Sequence, residues 1–292
     1  MPLVTTGELV SAARAAGRGL PAFNAVTLEH AEAIAAGVES AGGAAVLQLS
    51  QNAVRFHGGR LLPLARAMAA VAESAAVPLS LHLDHVEDTE LLHASAAAGF
   101  SSVMFDASAL PWSENLSATA AAAAWAHAHG LRLEAELGVV GGKPGRPPLD
   151  AHAPGARTDP DEAAAFVAET GVDALAVAVG SAHAMTERTA VLDHALIARL
   201  RAAVPVPLVL HGSSGVPDEE LTAATAAGIT KINIGTALNA AYTRAVRDFL
   251  AADPAAVDPR HYLGRAREAM AEAVARVSAL LATVPAQRTP AD

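Results

Sequence analysis

Short apolar segments alternate with alanine-rich segments of helical periodicity along most of the chain, and this alternation is the strongest constraint on its fold. Strands that alternate with helices pair in parallel, because each helix carries the chain back to the start of the next strand. Eight such repeats in roughly 250 residues predict an α/β fold, a (β/α)8 TIM barrel. The strands are predicted at residues 21–25, 44–50, 77–84, 101–106, 131–138, 173–180, 206–212 and 231–236.

A doubly wound sheet is the main alternative fold. That fold usually carries a glycine-rich fingerprint after its first strand, whereas the first predicted strand here ends in "FNAVTLE". We therefore predict a single barrel domain over residues 1–292. Residues 254–283 are expected to form extra C-terminal helices, and residues 284–292 a disordered tail.

Composition excludes several functional classes. The formal net charge is −10 and no basic stripe or aromatic platform appears, so no nucleic-acid partner is expected. No apolar run approaches the ~20 residues that cross a bilayer, and "MPLVTTGELV" lacks the segments of a secretory signal. A cytoplasmic protein without a membrane partner is the expectation. Because the chain has no cysteine, any zinc site must use His, Asp or Glu.

Polar residues follow the predicted strands at the end where barrel enzymes carry their active sites. Histidines follow three of these strands, and three neutral imidazoles with an open fourth position are typical of catalytic zinc. A single histidine is more often a hydrogen-bonded structural residue, as we expect for His82, so it is the joint placement that favours a metal site. The polar residues expected to meet at the mouth are Asn24, Ser50, Asp84, His85, Asp106, Glu136, His183, His211, Asn233 and Thr236.

Small residues follow the seventh and eighth predicted strands, in "GSSGV" and "NIGT". Barrels often bind phosphate with these two loops, since small residues let backbone N–H groups approach the oxygens. A Gly-Ser loop elsewhere is usually only a turn, but this position favours a phosphate site. The loop at 139–157 is long. Its composition is equally compatible with a lid over the active site and with an unstructured loop.

Together these motifs resemble those of the class II, zinc-dependent fructose-bisphosphate and tagatose-bisphosphate aldolase family. The resemblance runs in order through "PAFNAVTLEHAEAI", "LHLDH", "GFSSVMFDAS", "EAELG", "GSAHAM", "HGSSGV", "KINIGT" and "DPRHYLGRAREAM". The chain length is most similar to that of the shorter, tagatose-bisphosphate-like members. The resemblance implies a small phosphorylated sugar substrate, dihydroxyacetone phosphate and an aldehyde as products, and a homodimer or homotetramer.

The resemblance also implies roles for individual residues. His85, His183 and His211 would hold Zn²⁺, and Asp84 would exchange a proton with the hydroxyl that becomes the aldehyde. Asp106 and Glu136 match carboxylates near an alternative metal position, and a monovalent cation near the phosphate site is a further expectation. The residues implied to bind dihydroxyacetone phosphate or to line the pocket are Asn24, Ser50, Gly212, Ser213, Ser214, Asn233, Ile234, Gly235 and Thr236.

The chain departs from the family pattern in the loop whose acid is implied to move the proton at the enediolate carbon. The loop after the fifth strand reads "GGKPG", with Lys143 and Pro144 where acids are expected, and Asp150 is a candidate substitute. Another phosphorylated sugar as substrate, or a pseudoenzyme that binds metal and phosphate, is therefore the alternative function. The positions where relatives carry glycine hold Val86, Ala107 and Ala184.

Two other enzyme classes fit part of the pattern. A Schiff-base aldolase needs a lysine in the barrel. The only lysines are Lys143, in a loop, and Lys231, which is predicted to begin the eighth strand away from the mouth. A metal-dependent barrel hydrolase or epimerase could use the same three histidines to activate a water. Only an aldolase would release dihydroxyacetone phosphate from a ketose bisphosphate.

Overall fold

A computed structural model describes residues 3–138, 156–183 and 185–283 of the chain. Eight parallel strands pair in sequence order, and the last pairs with the first, so the predicted (β/α)8 barrel is confirmed. The strands are β1 Leu20–Asn24, β2 Ala45–Ser50, β3 Leu79–Val86, β4 Ser102–Phe105, β5 Arg132–Leu137, β6 Ala174–Val177, β7 Leu208–Leu210 and β8 Ile229–Ile234.

The largest differences in strand bounds lie in the second half of the barrel. β6 and β7 end before the predicted 180 and 212, because the chain turns there into the loops that carry His183 and His211. β8 begins at Ile229, directly after the positive-φ residue Gly228. Lys231 is therefore the third residue of β8, and the prediction that it begins the strand was wrong by two residues.

Helices connect the strands and surround the barrel. Among the described residues, none is long and apolar enough to cross a membrane. The helices are α1 Thr6–Ala15, α2 Leu28–Ala41, α3 Gln51–Phe56, α4 Leu61–Ser74, α5 Thr89–Ala98, α6 Trp112–Ala128, α7 Pro160–Thr170, α8 His194–Ala203, α9 Asp218–Ala227, α10 Thr236–Ala252 and α11 Pro259–Ala282.

Local sequence signals define several helix ends. Thr5 and Glu8 form a reciprocal capping box at the start of α1, which satisfies backbone donors that the first turn leaves unpaired. Asp159 caps α7 and is followed by a proline, whose fixed φ suits the first helical position. Gly42 ends α2 in the left-handed conformation, as is common for a residue that follows a helix.

Helix α1 covers the N-terminal end of the barrel. It contacts β1, β2, β3 and β8, and Leu9, Val10 and Ala13 form an apolar cluster with Leu20 and Val46. These buried side chains pack α1 against the base of the barrel. The carboxyl ends of the strands, at the opposite end, carry the polar pocket described below.

Helix α11 confirms the prediction of a C-terminal helical extension beyond the barrel. The predicted extension at 254–283 is helical from Pro259 to Ala282, and α11 packs along α2 and α10. Gly37 permits this close packing, since a Cβ at that position would lie 2.5 Å from the carbonyl oxygen of Ala271. The tail predicted at 284–292 lies outside the described residues, and the single-domain assignment stays a prediction.

Candidate metal and substrate site

A pocket of about 390 Å³ opens at the carboxyl ends of the strands. Glu136 and His211 are buried beside it, and Ile234 belongs to the hydrophobic core rather than to the pocket wall. The structure thus brings together most of the side chains that the sequence singles out. Those that line the pocket are Asn24, Ser50, Asp84, His85, Asp106, His183, Gly212, Ser213, Ser214, Asn233, Gly235 and Thr236.

Three histidines and one carboxylate form a compact group at the base of this pocket. His85, Glu136, His183 and His211 each offer one ligand atom, and these atoms all lie within 4.8 Å of one another. The ring centroid of His85 is 5.0 Å from that of His183 and 4.8 Å from that of His211. Nitrogen and oxygen donors at these separations could hold one divalent metal ion.

The backbone at His85 explains how two consecutive residues reach the same pocket. Neighbouring residues of a strand normally point to opposite faces of the sheet. His85 has φ +50°, in the left-handed region, and is the single described non-glycine residue with a positive φ. The pairing of β3 with β4 also shifts register between Leu83 and Val86. This local irregularity turns the His85 side chain to the same side as that of Asp84.

Carboxylates fix the orientation of two of the rings. His85 Nδ1 lies 3.2 Å from Asp106 Oδ2, and His211 has Glu136 Oε2 3.0 Å from Nδ1 and Glu134 Oε1 2.9 Å from Nε2. A metal-binding histidine commonly uses its other ring nitrogen in such a bond, as His85 does with Asp106. To bind a metal, His211 would have to lose a proton and exchange one of its two glutamate contacts for the ion. Burial disfavours a charged ring, but the hydrogen bonds to both glutamates prevail and raise the pKa of His211 to about 9.

Asp84 is a buried carboxylate that accepts hydrogen bonds from two amides. Asn24 Nδ2 donates to Oδ2 at 2.8 Å, and Asn233 Nδ2 donates to Oδ1 at 3.3 Å. Burial by itself raises the pKa of Asp84, but positive charge on His85, His211 and other neighbours lowers it below its usual value. Asp84 is therefore ionised at neutral pH and can accept a proton.

A buried ion pair lies under the histidine group. Lys231 Nζ is 2.8 Å from Glu134 Oε2, while the other oxygen of Glu134 bonds to His211. Burial raises the pKa of Glu134, but Lys231 and His211 lower it well below its usual range. His82, as expected, is a packed residue: its Nδ1 bonds to Ser102 Oγ at 2.7 Å, and burial lowers its pKa to about 3. Lys231 does not line the pocket.

This ion pair gives a testable prediction for stability. Glu134→Gln should lower the free energy of unfolding by about 3 kcal/mol, because Lys231 would stay buried without a counter-charge. The double variant Glu134→Gln with Lys231→Met removes both charges and should recover most of that loss. Urea unfolding of the three proteins measures both effects. Equal destabilisation of the single and double variants would contradict the ion-pair interpretation.

The loops after β7 and β8 form a wall of small residues. Gly212 has φ +66°, and a Cβ there would lie 2.5 Å from the backbone carbon of Ala182, so glycine allows this loop to approach the one that carries His183. Ser213 Oγ donates to the carbonyl oxygen of Asn233, which ties the two loops together. Helix α10 begins in this wall at Thr236. A helix N-terminus attracts anions, since its first N–H groups point outward.

The structure describes some of the residues that depart from the family pattern and not others. Val86 and Ala107 are buried in the hydrophobic core. Lys143, Pro144, Asp150 and Ala184 lie outside the described residues.

Sequence reasoning missed several residues around the site. Gln48 is fully buried and donates to Asn24 Oδ1 at 3.2 Å, and Glu134 and Lys231 form the pair described above. Each lies two positions before a predicted site residue on the same strand. The period-two alternation of side chains could therefore have indicated them as residues of the barrel interior. Arg55 also lines the pocket, from helix α3.

The chain also matches known proteins over nearly its whole length. A family model described as fructose-bisphosphate aldolase class-II matches residues 4–284. The chain belongs to the class II fructose-bisphosphate aldolase family. Members of this family are aldolases, which are carbon–carbon lyases, so the chain is an enzyme of that class.

Individual relatives agree with this assignment. The chain is 38% identical to a probable fructose-bisphosphate aldolase of Bacillus subtilis (strain 168), over 94% of this chain and 95% of the relative. It is 37% identical to a fructose-bisphosphate aldolase of Geobacillus stearothermophilus, over 92% and 93% of the two chains. The crystal structure of the YdjI aldolase from Escherichia coli K12 superimposes with a TM-score of 0.83 at 31% identity, covering 96% and 97% of the chains.

Proposed function

We propose that the chain is a zinc-dependent aldolase that cleaves and forms a ketose bisphosphate of the fructose- or tagatose-1,6-bisphosphate type. The two halves would be dihydroxyacetone phosphate and an aldehyde. One observation carries the proposal: three histidines and Glu136 meet within 4.8 Å at a pocket that is also lined by the ionised carboxylate Asp84. The printed names of the relatives support a fructose-bisphosphate substrate.

The donor set fits zinc. Imidazole nitrogens and a carboxylate oxygen are common zinc ligands, and three protein ligands that leave a position open are typical of catalytic sites. His85, His183 and His211 would hold the ion, and Glu136 would supply the carboxylate of the alternative position. A bound Zn²⁺ would supply the Lewis acidity that draws electron density from the ketone oxygen of the substrate.

Asp84 would move the proton of the aldehyde half. In cleavage the C3–C4 bond breaks, its electron pair stays with C3, and the proton of the C4 hydroxyl passes to the Asp84 carboxylate as the C4=O bond forms. Condensation returns that proton. Asn24 and Asn233 hold both carboxylate oxygens in place before the substrate arrives. Asp150, the sequence candidate for the proton at C3, lies outside the described residues.

The wall of small residues would bind the phosphate of the dihydroxyacetone half. Gly212, Ser214, Gly235 and Thr236 all line the pocket beside the start of helix α10. Backbone N–H groups and hydroxyls can surround phosphate oxygens closely where side chains are small. Phosphate binding here would orient a flexible substrate over the histidine group. The monovalent cation near this wall stays a prediction from the sequence, as do a cytoplasmic location and a homodimer or homotetramer.

An aldol-cleavage assay tests the proposal. Zinc-loaded enzyme should release dihydroxyacetone phosphate from fructose 1,6-bisphosphate, from tagatose 1,6-bisphosphate, or from both. The release is followed by coupling the product to NADH oxidation. Activity should disappear on chelation and return when zinc is added back. Absence of product from both sugars, or activity that survives complete metal removal, would contradict the proposed function.

A further inference from the structure

A second cavity, of about 150 Å³, lies at the N-terminal end of the barrel beneath helix α1. Thr6, Val10 and Arg14 of α1 form one of its walls, because residues four apart share a helix face. Its inner end is lined by interior residues of the strands, among them His82 and Lys231. It shares no lining residue with the pocket at the carboxyl ends of the strands, so the two cavities are separate.

The inner end of this cavity holds hydrogen-bond donors that the described residues do not satisfy. His82 is 1% exposed and its Nδ1 bonds to Ser102, but its Nε2 has no hydrogen-bond partner among the described residues. The nearest carboxylate oxygen, Glu134 Oε2, is 4.0 Å from Nε2, beyond hydrogen-bond distance. A buried polar atom without a partner is costly. An oxygen acceptor in the cavity would remove that cost.

Lys231 adds further donors at the same end. Its Nζ carries three N–H groups, and within the described part of the chain it uses one of them, for Glu134 Oε2 at 2.8 Å. The charges of Lys231 and Glu134 balance, and burial keeps the His82 ring neutral by lowering its pKa to about 3. The inner end therefore favours an uncharged oxygen, a hydroxyl or a carbonyl, over a second anion.

The rim of the cavity has the opposite preference. Arg132 is paired with Asp173 at 2.5 Å, but the contact of the Arg14 guanidinium among the described residues is a backbone one, to the carbonyl oxygen of Pro205 at 2.6 Å. A neighbouring hollow shares Arg14 and is lined by Arg18 and Arg201, with no Asp or Glu among its described residues. This local excess of positive charge, on a chain of net charge −10, attracts small anions.

We propose that this cavity binds a small organic anion of about four to six carbon atoms, since a cavity of about this volume holds a molecule the size of benzene. An uncharged hydroxyl or carbonyl oxygen lies between His82 and Lys231, and the anionic group lies on Arg14. The hydrocarbon part contacts the apolar lining side chains, those of Val10, Leu133, Pro207 and Val209. The ligand class is thus a short hydroxy or oxo acid. The inference does not depend on the proposed aldolase function.

The test is a titration of the zinc-loaded full-length enzyme with three probes, followed by saturation-transfer NMR. 4-Hydroxybutyrate carries both groups, butyrate lacks the hydroxyl oxygen, and butane-1,4-diol lacks the charge. 4-Hydroxybutyrate should bind at least ~5-fold more tightly than either of the others, because each of them loses one of the two polar contacts. Saturating dihydroxyacetone phosphate should leave this binding unchanged, since it would occupy the pocket at the other end.

Variants assign the two ends of the ligand. Arg14→Met should weaken 4-hydroxybutyrate binding roughly 10-fold and butane-1,4-diol binding by less than about twofold. His82→Leu should reduce the affinity for 4-hydroxybutyrate to about that for butyrate, and His82→Gln, which keeps an amide N–H, should recover part of the loss. Ser11→Trp places a large side chain at the rim from an exposed position and should abolish binding.

Arg66→Met is the matched control. Arg66, like Arg14, is an exposed helical arginine that donates to one backbone carbonyl, that of Ala97 at 3.3 Å, but it does not line the cavity. This variant should bind 4-hydroxybutyrate as the wild type does. Because Arg14 and Ser11 are exposed, their variants decide the question even if His82→Leu does not fold.

Three results would overturn the inference. The first is no binding of any probe, as expected of a cavity that holds only water. The second is binding that dihydroxyacetone phosphate displaces or that survives both Arg14→Met and Ser11→Trp. The third is equal affinity for the three probes. A chain that binds 4-hydroxybutyrate as described but cleaves no ketose bisphosphate would contradict the proposed function and support this inference.

Discussion

Asp84→Asn is expected to lower kcat for ketose bisphosphate cleavage by about 10²- to 10⁴-fold, the usual contribution of a general base. The asparagine side chain has nearly the same shape but cannot take up the proton of the C4 hydroxyl. The new amide oxygen can still accept from Asn24, and a flip of the Asn233 amide, whose Oδ1 has no hydrogen-bond partner among the described residues, lets Asn233 accept from the new N–H group, so the variant should keep the pocket shape. Zinc content should stay equal to that of the wild type, because Asp84 is outside the group of candidate ligands.

The prediction is checked by comparing cleavage with proton exchange in dihydroxyacetone phosphate. Exchange needs no transfer at the C4 hydroxyl, so it should survive in Asp84→Asn while cleavage is lost. Asp88→Asn is a matched control: Asp88 caps α5 by accepting from the Glu90 N–H at 2.8 Å, and asparagine caps equally well. A variant that retains wild-type cleavage, or that loses zinc together with activity, would show that Asp84 has another role.

The sequence predicts the barrel well because its signals are local. Each strand is marked by an apolar run, each helix by an alanine-rich segment of helical periodicity, and their boundaries often by glycine or proline. The position of polar residues after these strands then predicts a shared mouth, since parallel strands of a barrel end on one face. Asn24, Ser50, Asp84 and His183 were found in this way, and all of them line the pocket.

What the sequence does not predict depends on register and on backbone detail. His85 faces the pocket only because its φ is +50° and β3 slips against β4, and a motif of three letters does not encode that turn. Lys231 and Glu134 lie 97 positions apart in the chain. Their pairing depends on how the strands stagger around the barrel, which is a property of the closed sheet rather than of either segment. Burial of a lysine was unexpected for the same reason.

Removal of one histidine ligand should affect both metal binding and catalysis. Loss of a residue that only hydrogen-bonds a metal ligand typically weakens metal binding by ~10- to 100-fold. His183→Ala removes a candidate ligand itself, so we expect it to weaken zinc binding by more than that. Cleavage activity at limiting zinc should disappear. His183 is in a loop and is only partly buried, so it suits this test better than His211, which is fully buried between two glutamates.

Zinc affinity and thermal unfolding provide readouts that do not depend on activity. A ligand that binds only the folded state adds stability that grows by about 1.4 kcal/mol for each tenfold excess over its Kd. The wild type should therefore gain thermal stability as zinc is added, whereas His183→Ala should gain much less and should match the wild type without metal. His93→Ala, which removes an exposed histidine stacked on Trp125, should respond to zinc as the wild type does. If His183→Ala bound zinc as tightly as the wild type, His183 would not be a ligand and the proposed three-histidine site would be contradicted, whereas His85, His211 and Glu136 would remain candidates.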